Sequence, residues 1–368
     1  MGSIKSQQRW GSILVNGGLL FLVLLWTIPT FGLFVSSFRT REAIQSSGWW
    51  NIFPHRAYET VEVINPADLN LDPTGPMVVE GVETTFEELR ETGITTADGT
   101  YYRWVGNRRL GRIEIQEQKW TVDWDFTLAN YQQVLSGKEF EYERPDGTVE
   151  TIPGDDFVSA FLNSLAVAVP ATVIPILVAA FAAYGFAWMN FPGRRVLFIM
   201  VVALLVVPLQ IALVPILRDF RALQINGTFL AMWLAHTGFG LPLATYLLFN
   251  YISNLPRETL ESAFIDGASH FTVFRKLILP LSVPALASFA IFQFLWVWND
   301  YLVALIFLGG NPETKVITQR LADIVGSRGN DWHLLTAGAF LTMLLPLIVF
   351  FSLQRFFVRG LLAGSVKG

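Results

Sequence analysis

The chain has 368 residues, of which 52% are apolar and only 15% charged, and its mean hydropathy is +0.44. Soluble domains carry about 25% charged residues, and the shortfall here lies in long uncharged stretches, which indicate a membrane protein rather than a soluble enzyme or a disordered chain. A net charge of −4 gives no basic excess for nucleic acid, and the absence of cysteine excludes disulfides, a thiol nucleophile and thiolate metal sites.

Six uncharged stretches are each long enough for a helix of about 20 residues to cross about 30 Å of hydrocarbon. Backbone inside a bilayer must satisfy its own hydrogen bonds, so we predict that all six are transmembrane helices. The alternation typical of a transmembrane β-barrel is not visible. The predicted spans are Gly11–Phe38, Phe157–Gly193, Val196–Leu217, Ala222–Pro256, Leu277–Asn299 and Trp332–Gln354.

The distribution of Lys and Arg predicts the orientation of these spans. Lys5 and Arg9 precede the first stretch, which is too long for a signal peptide and lacks a small-residue cleavage site, so we expect it to be retained. With the N-terminus inside, ten basic residues fall in inner segments and five in short outer loops. Because basic residues collect on the cytoplasmic side, both termini are predicted to be cytoplasmic.

A long acidic insertion, residues 39–156, separates the first two spans. It holds 22 of the 30 acidic and 11 of the 26 basic residues, a net charge of −11 against +7 for the remainder. The predicted topology places it outside the cytoplasm. Thr100–Val105 and Leu110–Gln116 are predicted strands around a Gly106–Asn107 turn, and Thr127–Leu135 is a predicted short helix. The insertion is therefore expected to be folded and partly β, either as an inert cap or as a docking surface for an external partner.

The loop between the fourth and fifth spans, residues 254–282, combines helix signals with small residues. Pro256 suits the first turn of a helix, and we predict a short cytoplasmic helix over Arg257–Ser269. Gly267 is suited to ending that helix in a turn, and Leu279–Pro280 would redirect the chain into the fifth span. Its small and charged side chains, which would let another surface approach, are Glu261, Ala263, Asp266 and Ala268.

This loop resembles the EAA loop of permease subunits in binding-protein-dependent ABC importers. The family pattern begins with Glu-Ala-Ala, places Gly six residues after the Glu and ends in Leu-Pro. The residues that carry the resemblance are Glu261, Ser262, Ala263, Asp266, Gly267, Leu277, Leu279 and Pro280. Two of them depart from the usual pattern, since Ser262 replaces Ala and Leu277 replaces Ile.

Three further segments resemble MalG-type carbohydrate permeases: Phe126–Leu135, Trp298–Tyr301 (WNDY) and Arg359–Gly368. The insertion is similar in position to that of the alpha-glucoside (AglG-like) members. The resemblance implies an all-α polytopic protein with six transmembrane helices of the MetI-like type and a partly β insertion. The implied domains are residues 1–38, the insertion 39–156, a five-helix core 157–358 and a cytoplasmic tail 359–368.

The resemblance implies a permease subunit of an ATP-driven importer for oligosaccharides or alpha-glucosides in a bacterial inner membrane. No phosphate-binding loop of the G-x-x-x-x-G-K-[ST] type is present, so we expect no catalytic residue, metal or cofactor in this chain, with ATP and Mg bound by a partner. The implied partners are a MalF-like second permease, an ATPase dimer and an external sugar-binding protein. The tail residues implied at the ATPase interface are Arg359, Gly360, Gly364 and Lys367.

Polar residues inside spans need an explanation because they are costly in lipid. Trp298, Asn299, Asp300 and Tyr301 either line a sugar pathway, with aromatic faces on sugar rings, or form an interfacial belt or structural cluster. For the lone polar residues His236, Gln210 and Gln293, packing or helix-to-helix hydrogen bonding is favoured over substrate contact.

Two other functions are alternatives to the importer. A secondary transporter needs ionisable residues in its spans and a repeat, yet Asp300 is the one candidate acid and no repeat is evident. A membrane sensor using residues 39–156 needs a cytoplasmic output domain, and no inner segment is long enough for one. The EAA pattern favours the importer over both.

Overall fold

The computed structural model describes residues 2–69, 71–137, 140–143, 149–152, 155–328 and 331–363. It divides into two compact units. The membrane unit comprises Met1–Arg41 and Thr127–Gly368, and the inserted unit comprises Glu42–Phe126. The inserted unit is thus shorter than the predicted insertion 39–156, since the predicted helix near Thr127 belongs to the membrane unit.

Helices account for most of the described residues. In chain order they are α1 (Gly2–Ser36), α2 (Arg41–Ser46), α3 (Phe86–Glu91), α4 (Ala129–Leu135), α5 (Phe157–Trp188), α6 (Arg194–Ala203), α7 (Leu209–Ala222), α8 (Phe229–Ser253), α9 (Arg257–Ile265), α10 (His270–Val273), α11 (Leu279–Leu281), α12 (Val283–Asn299), α13 (Leu302–Phe307), α14 (Ile317–Arg328) and α15 (Trp332–Ala363). Three 3-10 turns occupy Trp49–Ile52, Pro66–Leu69 and Leu204–Val206, and a π-helical segment occupies Phe274–Ile278.

The inserted unit is built on a four-stranded antiparallel sheet in the order β1-β6-β5-β4. The strands of the chain are β1 (His55–Ile64), β2 (Met77–Val79), β3 (Val82–Thr84), β4 (Ile94–Thr95), β5 (Tyr101–Val105), β6 (Arg112–Thr121), β7 (Phe140–Glu143) and β8 (Val149–Ile152). The predicted strand pair around Gly106 is confirmed as β5 and β6. One end of the sheet packs with α3 around the fully buried Leu89, Ile113 and Trp104.

Among the described residues, three helices are long and apolar enough to cross a membrane: Arg9–Ser36 within α1, Phe157–Trp188, and Trp332–Phe356 within α15. Two bent helix pairs meet the same standard when each pair is taken as one span, which makes five. Helix α8 has 25 residues, about 37 Å at 1.5 Å per residue, but its polar side chains make it less apolar. Each predicted span therefore corresponds to a helix or to a bent pair.

The third predicted span, Val196–Leu217, is broken into two helices rather than straight. Helix α6 runs into the 3-10 turn, and α7 then leaves at 104°. Pro208 causes the break, because its ring excludes the preceding residue from the helical region and it has no N–H to donate; Val207 is accordingly extended. The fourth span also begins later than predicted, at Phe229, since Gly227 forms a left-handed turn before it.

The fifth span is likewise bent rather than straight. His270–Leu281 and Val283–Asn299 meet at 71°, with the bend at Ser282, two residues beyond Pro280. The short loop helix was predicted to extend to Ser269, but α9 ends at Ile265 because Gly267 adopts a left-handed conformation (φ +81°).

Two buried clusters lie along α5 in the membrane unit. The first surrounds Phe157, Ala168 and Ala171 and includes parts of α7, α8, α12 and α13. The second surrounds Ala179, Ala180 and Ala183 and includes α9, α10 and the π-helical segment. The small side chains of α5 let α8 and the loop region approach closely, so the buried side of the 254–282 loop, with Leu260, Phe274 and Ile278, belongs to the packed core.

Candidate functional site

Helix α9 of the 254–282 loop presents its charged residues to solvent and anchors itself by one buried side. Leu260 is fully buried, whereas Glu261 and Ser262 are exposed. The Arg257 guanidinium lies 3.7 Å from the Glu261 carboxylate, a surface pair of small energetic value. The Ser262 hydroxyl donates to the Glu258 carbonyl at 2.8 Å. The predicted motif residues are thus available to a partner, while Leu260 holds the helix in place.

The end of α9 is closed by a Schellman motif. The N–H of Ala268 donates to the Ala263 carbonyl at 3.0 Å, and the N–H of Gly267 donates to the Phe264 carbonyl at 3.0 Å. Gly267 supplies the left-handed residue that this motif requires. No described atom lies within 4 Å of where a Cβ at Gly267 would stand. The glycine is therefore needed for its backbone conformation, and the space beside it is open, next to the exposed Asp266.

Aromatic contacts fasten the loop to α5. The Tyr184 hydroxyl lies 2.8 Å from His270 Nδ1, and the His270 ring packs on Phe264 with centroids 4.9 Å apart. Phe274 stacks on Phe181 at 4.2 Å. A displacement of α9 would therefore pass directly to α5 through interlocked rings.

The last residues of the predicted motif lie at the bend into α12. Leu279 packs against the second buried cluster, and Pro280 is exposed. The Tyr251 hydroxyl of α8 donates to the Leu281 carbonyl at 3.1 Å. π-helical segments occur frequently at functional sites, and the one at Phe274–Ile278 ends here.

Two exposed apolar residues of this surface were missed by the sequence analysis. Ile265 is 85% exposed and Phe271 is 64% exposed. On a helix of 3.6 residues per turn, Ile265 lies about 40° around from Glu261. A single apolar residue in a charged loop is a weak sequence signal. In the structure, however, Ile265 and Phe271 add apolar surface beside the exposed polar residues of the motif. We call Glu261, Ser262, Ile265, Asp266, Gly267 and Phe271 the loop surface.

The second predicted group, Trp298–Tyr301, lies at the opposite end of α12, 17 residues or about 25 Å from its start. The structure therefore separates it from the loop surface. Trp298 is 2% exposed and its indole N–H donates to the Thr342 carbonyl at 3.0 Å. The burial of Trp298 fits the alternative that it belongs to a structural cluster. Asn299 and Tyr301, in contrast, are exposed.

Asp300 organises the turn that follows α12. Its Oδ1 accepts from the Val303 N–H at 2.9 Å, and its carbonyl accepts from the Thr318 hydroxyl at 3.3 Å. Its Oδ2 lies 4.0 Å from Nε2 of His236. His236 is fully buried, and neither ring nitrogen has a hydrogen-bond partner among the described residues.

Gln293 connects α12 with α5 and α8 through hydrogen bonds. This is the helix-to-helix hydrogen bonding that the sequence favours for it. Its amide donates to the Ala171 carbonyl at 3.0 Å and to the His236 carbonyl at 3.3 Å. Gly240 makes room for it, because a Cβ there would stand 2.6 Å from Oε1 of Gln293. Gln210, by contrast, is exposed on α7.

A cavity of about 470 Å³ lies beside the broken third span. Its walls are apolar and come from α7, α8, the 3-10 turn and Trp296. Of the described residues around it, none belongs to the Trp298–Tyr301 group. Because apolar walls cannot hydrogen-bond sugar hydroxyls, the cavity does not by itself support a sugar site.

The predicted tail residues are only partly within the structure. Arg359 and Gly360 lie in the backbone of α15, and Gly364 and Lys367 lie outside the described residues. In the part of the chain that the structure describes, no group of three His, Asp or Glu side chains could hold a metal ion.

Comparison with known families identifies the membrane unit. The family model described as "Binding-protein-dependent transport system inner membrane component" matches residues 165–362, more than half of the chain. This range contains α9, the loop surface and the Trp298–Tyr301 group.

Two curated relatives match over nearly the whole chain. The osmoprotective compounds uptake permease protein GgtD of Synechocystis is 46% identical over 99% of this chain and 95% of its own length. The alpha-glucoside transport system permease protein AglG of Rhizobium meliloti is 46% identical over 100% of this chain and 99% of its own. The likeness therefore includes the inserted unit.

A solved structure shares the fold. A chain of a bacterial ABC transporter involved in the import of the acidic polysaccharide alginate matches with a TM-score of 0.58, covering 95% of this chain and 96% of that chain. The sequence identity is 16%, so the likeness concerns the fold alone.

Proposed function

This chain belongs to the family of binding-protein-dependent transport system inner membrane components, and we propose that it is the permease subunit of an ATP-driven importer of carbohydrates. The importer is placed in a bacterial inner membrane with both termini of this chain in the cytoplasm. The names of the relatives AglG and GgtD favour alpha-glucosides or related osmoprotective compounds as substrates.

The observation that carries the proposal is the loop surface. It combines exposed Glu261 and Ser262 with the exposed apolar side chains Ile265 and Phe271. An apolar centre ringed by polar groups is the composition of a protein docking patch. We assign this patch to a separate ATPase subunit, which binds the ATP and Mg that this chain does not.

The contacts between the loop and α5 provide a route by which movement of a bound ATPase reaches the spans. A ligand or partner shifts a two-state protein only through different affinities for the two states. The Tyr184–His270 contact and the stack of Phe181 on Phe274 join α9 to α5. Closure of an ATPase pair on α9 would therefore move α5 and, through the bend at Ser282, α12.

The remaining partners complete the importer. A MalF-like second permease forms the other half of the pathway, an ATPase dimer binds on the cytoplasmic side, and an external sugar-binding protein delivers the substrate. By the resemblance, we also assign the tail residues Arg359, Gly360, Gly364 and Lys367 to the ATPase interface.

We assign the outer end of α12 to the sugar pathway, with different roles for its residues. Asn299 and Tyr301 are exposed and offer an amide and an aromatic ring to a sugar. Trp298 is buried and Asp300 is bonded to its own turn, so these two position the exposed pair.

The docking role is tested with the purified transporter in lipid nanodiscs. Replacing Ile265 by Ala or Glu261 by Lys is expected to raise the dissociation constant of the ATPase at least ten-fold, because each change removes one part of the patch. Thr259→Ala is the matched control, since Thr259 is exposed on α9 about 120° around the helix from Ile265. Wild-type ATPase affinity and sugar uptake in both patch variants would refute the assignment.

A further inference from the structure

One face of the sheet in the inserted unit is exposed and unusually rich in aromatic and basic residues. Side chains alternate between the faces of a strand, and the pairing of Arg56 with Trp120, Tyr58 with Gln118 and Tyr101 with Gln116 places these on one face. Arg103 and Glu114 pair on the same face. We call this surface of β1, β5 and β6 the arginine face; its rings are Tyr58, Tyr101 and Trp120, and its charged residues are Arg56, Arg103, Arg112 and Glu114. The pairing of Val63 with Glu114 and of Val105 with Arg112 places two valines on the same face.

The rings of the arginine face are arranged in contact with one another. The Arg56 guanidinium lies 5.5 Å from the centre of the Trp120 ring, and Tyr58 lies 4.5 Å from Tyr101 between ring centres. Trp120 is nonetheless 68% exposed and Tyr58 is 43% exposed. Pre-ordered aromatic and guanidinium groups lose little side-chain entropy when a partner binds.

The charge of this face is opposite to that of the unit that carries it. Residues 42–126 contain 15 acidic and 7 basic residues, a net charge of −8. The arginine face has three arginines and one acid, Glu114, whose carboxylate is bonded to Arg112 at 3.0 Å. The opposite face is different: it buries Ile113 and Trp104 at one end and carries Glu59, Glu117 and Lys119 at the other.

We propose that the arginine face is the docking surface for an acidic patch on the external binding protein, an inference that rests on the proposed importer function. Trp, Tyr and Arg are the residues most enriched at interface hot spots, and the local positive charge steers an acidic partner. Two ten-residue strands about 34 Å long and one five-residue strand about 17 Å long, each about 4.8 Å wide, give roughly 400 Å². This is about half of the roughly 800 Å² that a partner buries in a standard interface.

A protein partner fits this face better than a sugar or a lipid surface. A sugar would need open ring faces, whereas Arg56 covers one side of Trp120 and Tyr58 is paired with Tyr101. The polar side chains between the rings, Gln116 and Gln118 among them, are unsuited to insertion into hydrocarbon.

The test uses the complete transporter, purified from its native membrane into nanodiscs, and the solute-binding protein that co-purifies with it. The double variant Arg56→Glu/Arg103→Glu and the single variant Trp120→Ala are each expected to raise the dissociation constant of that protein at least ten-fold. The arginine variant should also flatten the salt dependence of binding, because screening acts on the removed charges. Lys119→Glu, which reverses one charge on the opposite face of β6, is the control and is expected to bind as wild type.

The outcomes separate this inference from the importer function. If a binding protein co-purifies and binds all three variants with wild-type affinity, the docking surface is refuted while the importer function stands. If none co-purifies, both fall. A selective loss of maltotriose binding, or of binding to vesicles containing phosphatidylglycerol, with binding-protein affinity unchanged, would overturn the protein assignment in favour of a sugar or lipid surface.

Discussion

The turn at Gly267 offers a graded test of how the loop works. Gly267 has φ +81° with open space where a Cβ would stand, so a substitution changes backbone energy without a steric clash. A left-handed conformation costs an ordinary residue roughly 1–2 kcal/mol, while Asn tolerates it at lower cost. Gly267→Val should therefore loosen the Schellman turn, and Gly267→Asn should nearly preserve it.

The expected size of the effect follows from that cost. If docking requires the formed turn, the apparent affinity for the ATPase falls by at most the same free energy. For Gly267→Val this is a rise in dissociation constant of up to about 5- to 30-fold, and for Gly267→Asn about two-fold. Sugar transported per ATP hydrolysed should fall in the same order.

The assay is titration of the ATPase against permease in nanodiscs, followed by uptake in proteoliposomes. Equal losses for Gly267→Val and Gly267→Asn would show that side-chain bulk at the surface, rather than turn conformation, weakens docking. Wild-type behaviour of both variants would refute the role of the turn altogether.

Two stability predictions concern the interiors of the two units. Gly240→Ala forces the Gln293 amide away from its two carbonyl partners and should lower the free energy of unfolding by about 2 kcal/mol, at about 1 kcal/mol per hydrogen bond. Adding Gln293→Ala should relieve the clash, so the double variant should lose less than the sum of the two single variants. Additive losses in thermal unfolding of the chain in micelles would contradict the packing of Gln293 against Gly240. Trp104→Ala leaves a cavity in the core of the inserted unit and should lower its free energy of unfolding by about 3–5 kcal/mol, which should speed proteolysis within residues 42–126. Trp120→Ala changes an exposed side chain and should not speed proteolysis. Equal protease resistance of the two variants would count against the assigned core.

Local turn chemistry was readable from the sequence, whereas which of the prolines in the spans would break its helix was not. Gly267 was identified as a helix end because left-handed turns favour glycine wherever they occur. Prolines at six other positions, Pro29, Pro170, Pro175, Pro215, Pro242 and Pro346, remain inside helices. Pro208, by contrast, breaks its span sharply, because whether freed carbonyls find partners depends on neighbouring helices.

The composition of the candidate site was predicted better than its exposure. The polar motif residues Glu261 and Asp266 are where a charged loop helix would place them. The exposure of Ile265 and Phe271, and the burial of Trp298, depend on which face of each element packs against α5 or α15. Which side of a helix is buried depends on its tertiary contacts, and a single sequence with bent spans does not specify those contacts.

The most direct test of the importer assignment is site-specific cross-linking at the loop surface. The chain has no cysteine, so Ser262→Cys introduces a single thiol on the exposed side of α9. A thiol-reactive photo-cross-linker at this site, used in the native membrane and followed by mild-detergent purification and mass spectrometry, is predicted to capture an ATPase subunit, with a second permease and a sugar-binding protein co-purifying. Recovery of the intact chain alone, with no ATPase after cross-linking, would contradict the account and favour a self-sufficient transporter or a sensor.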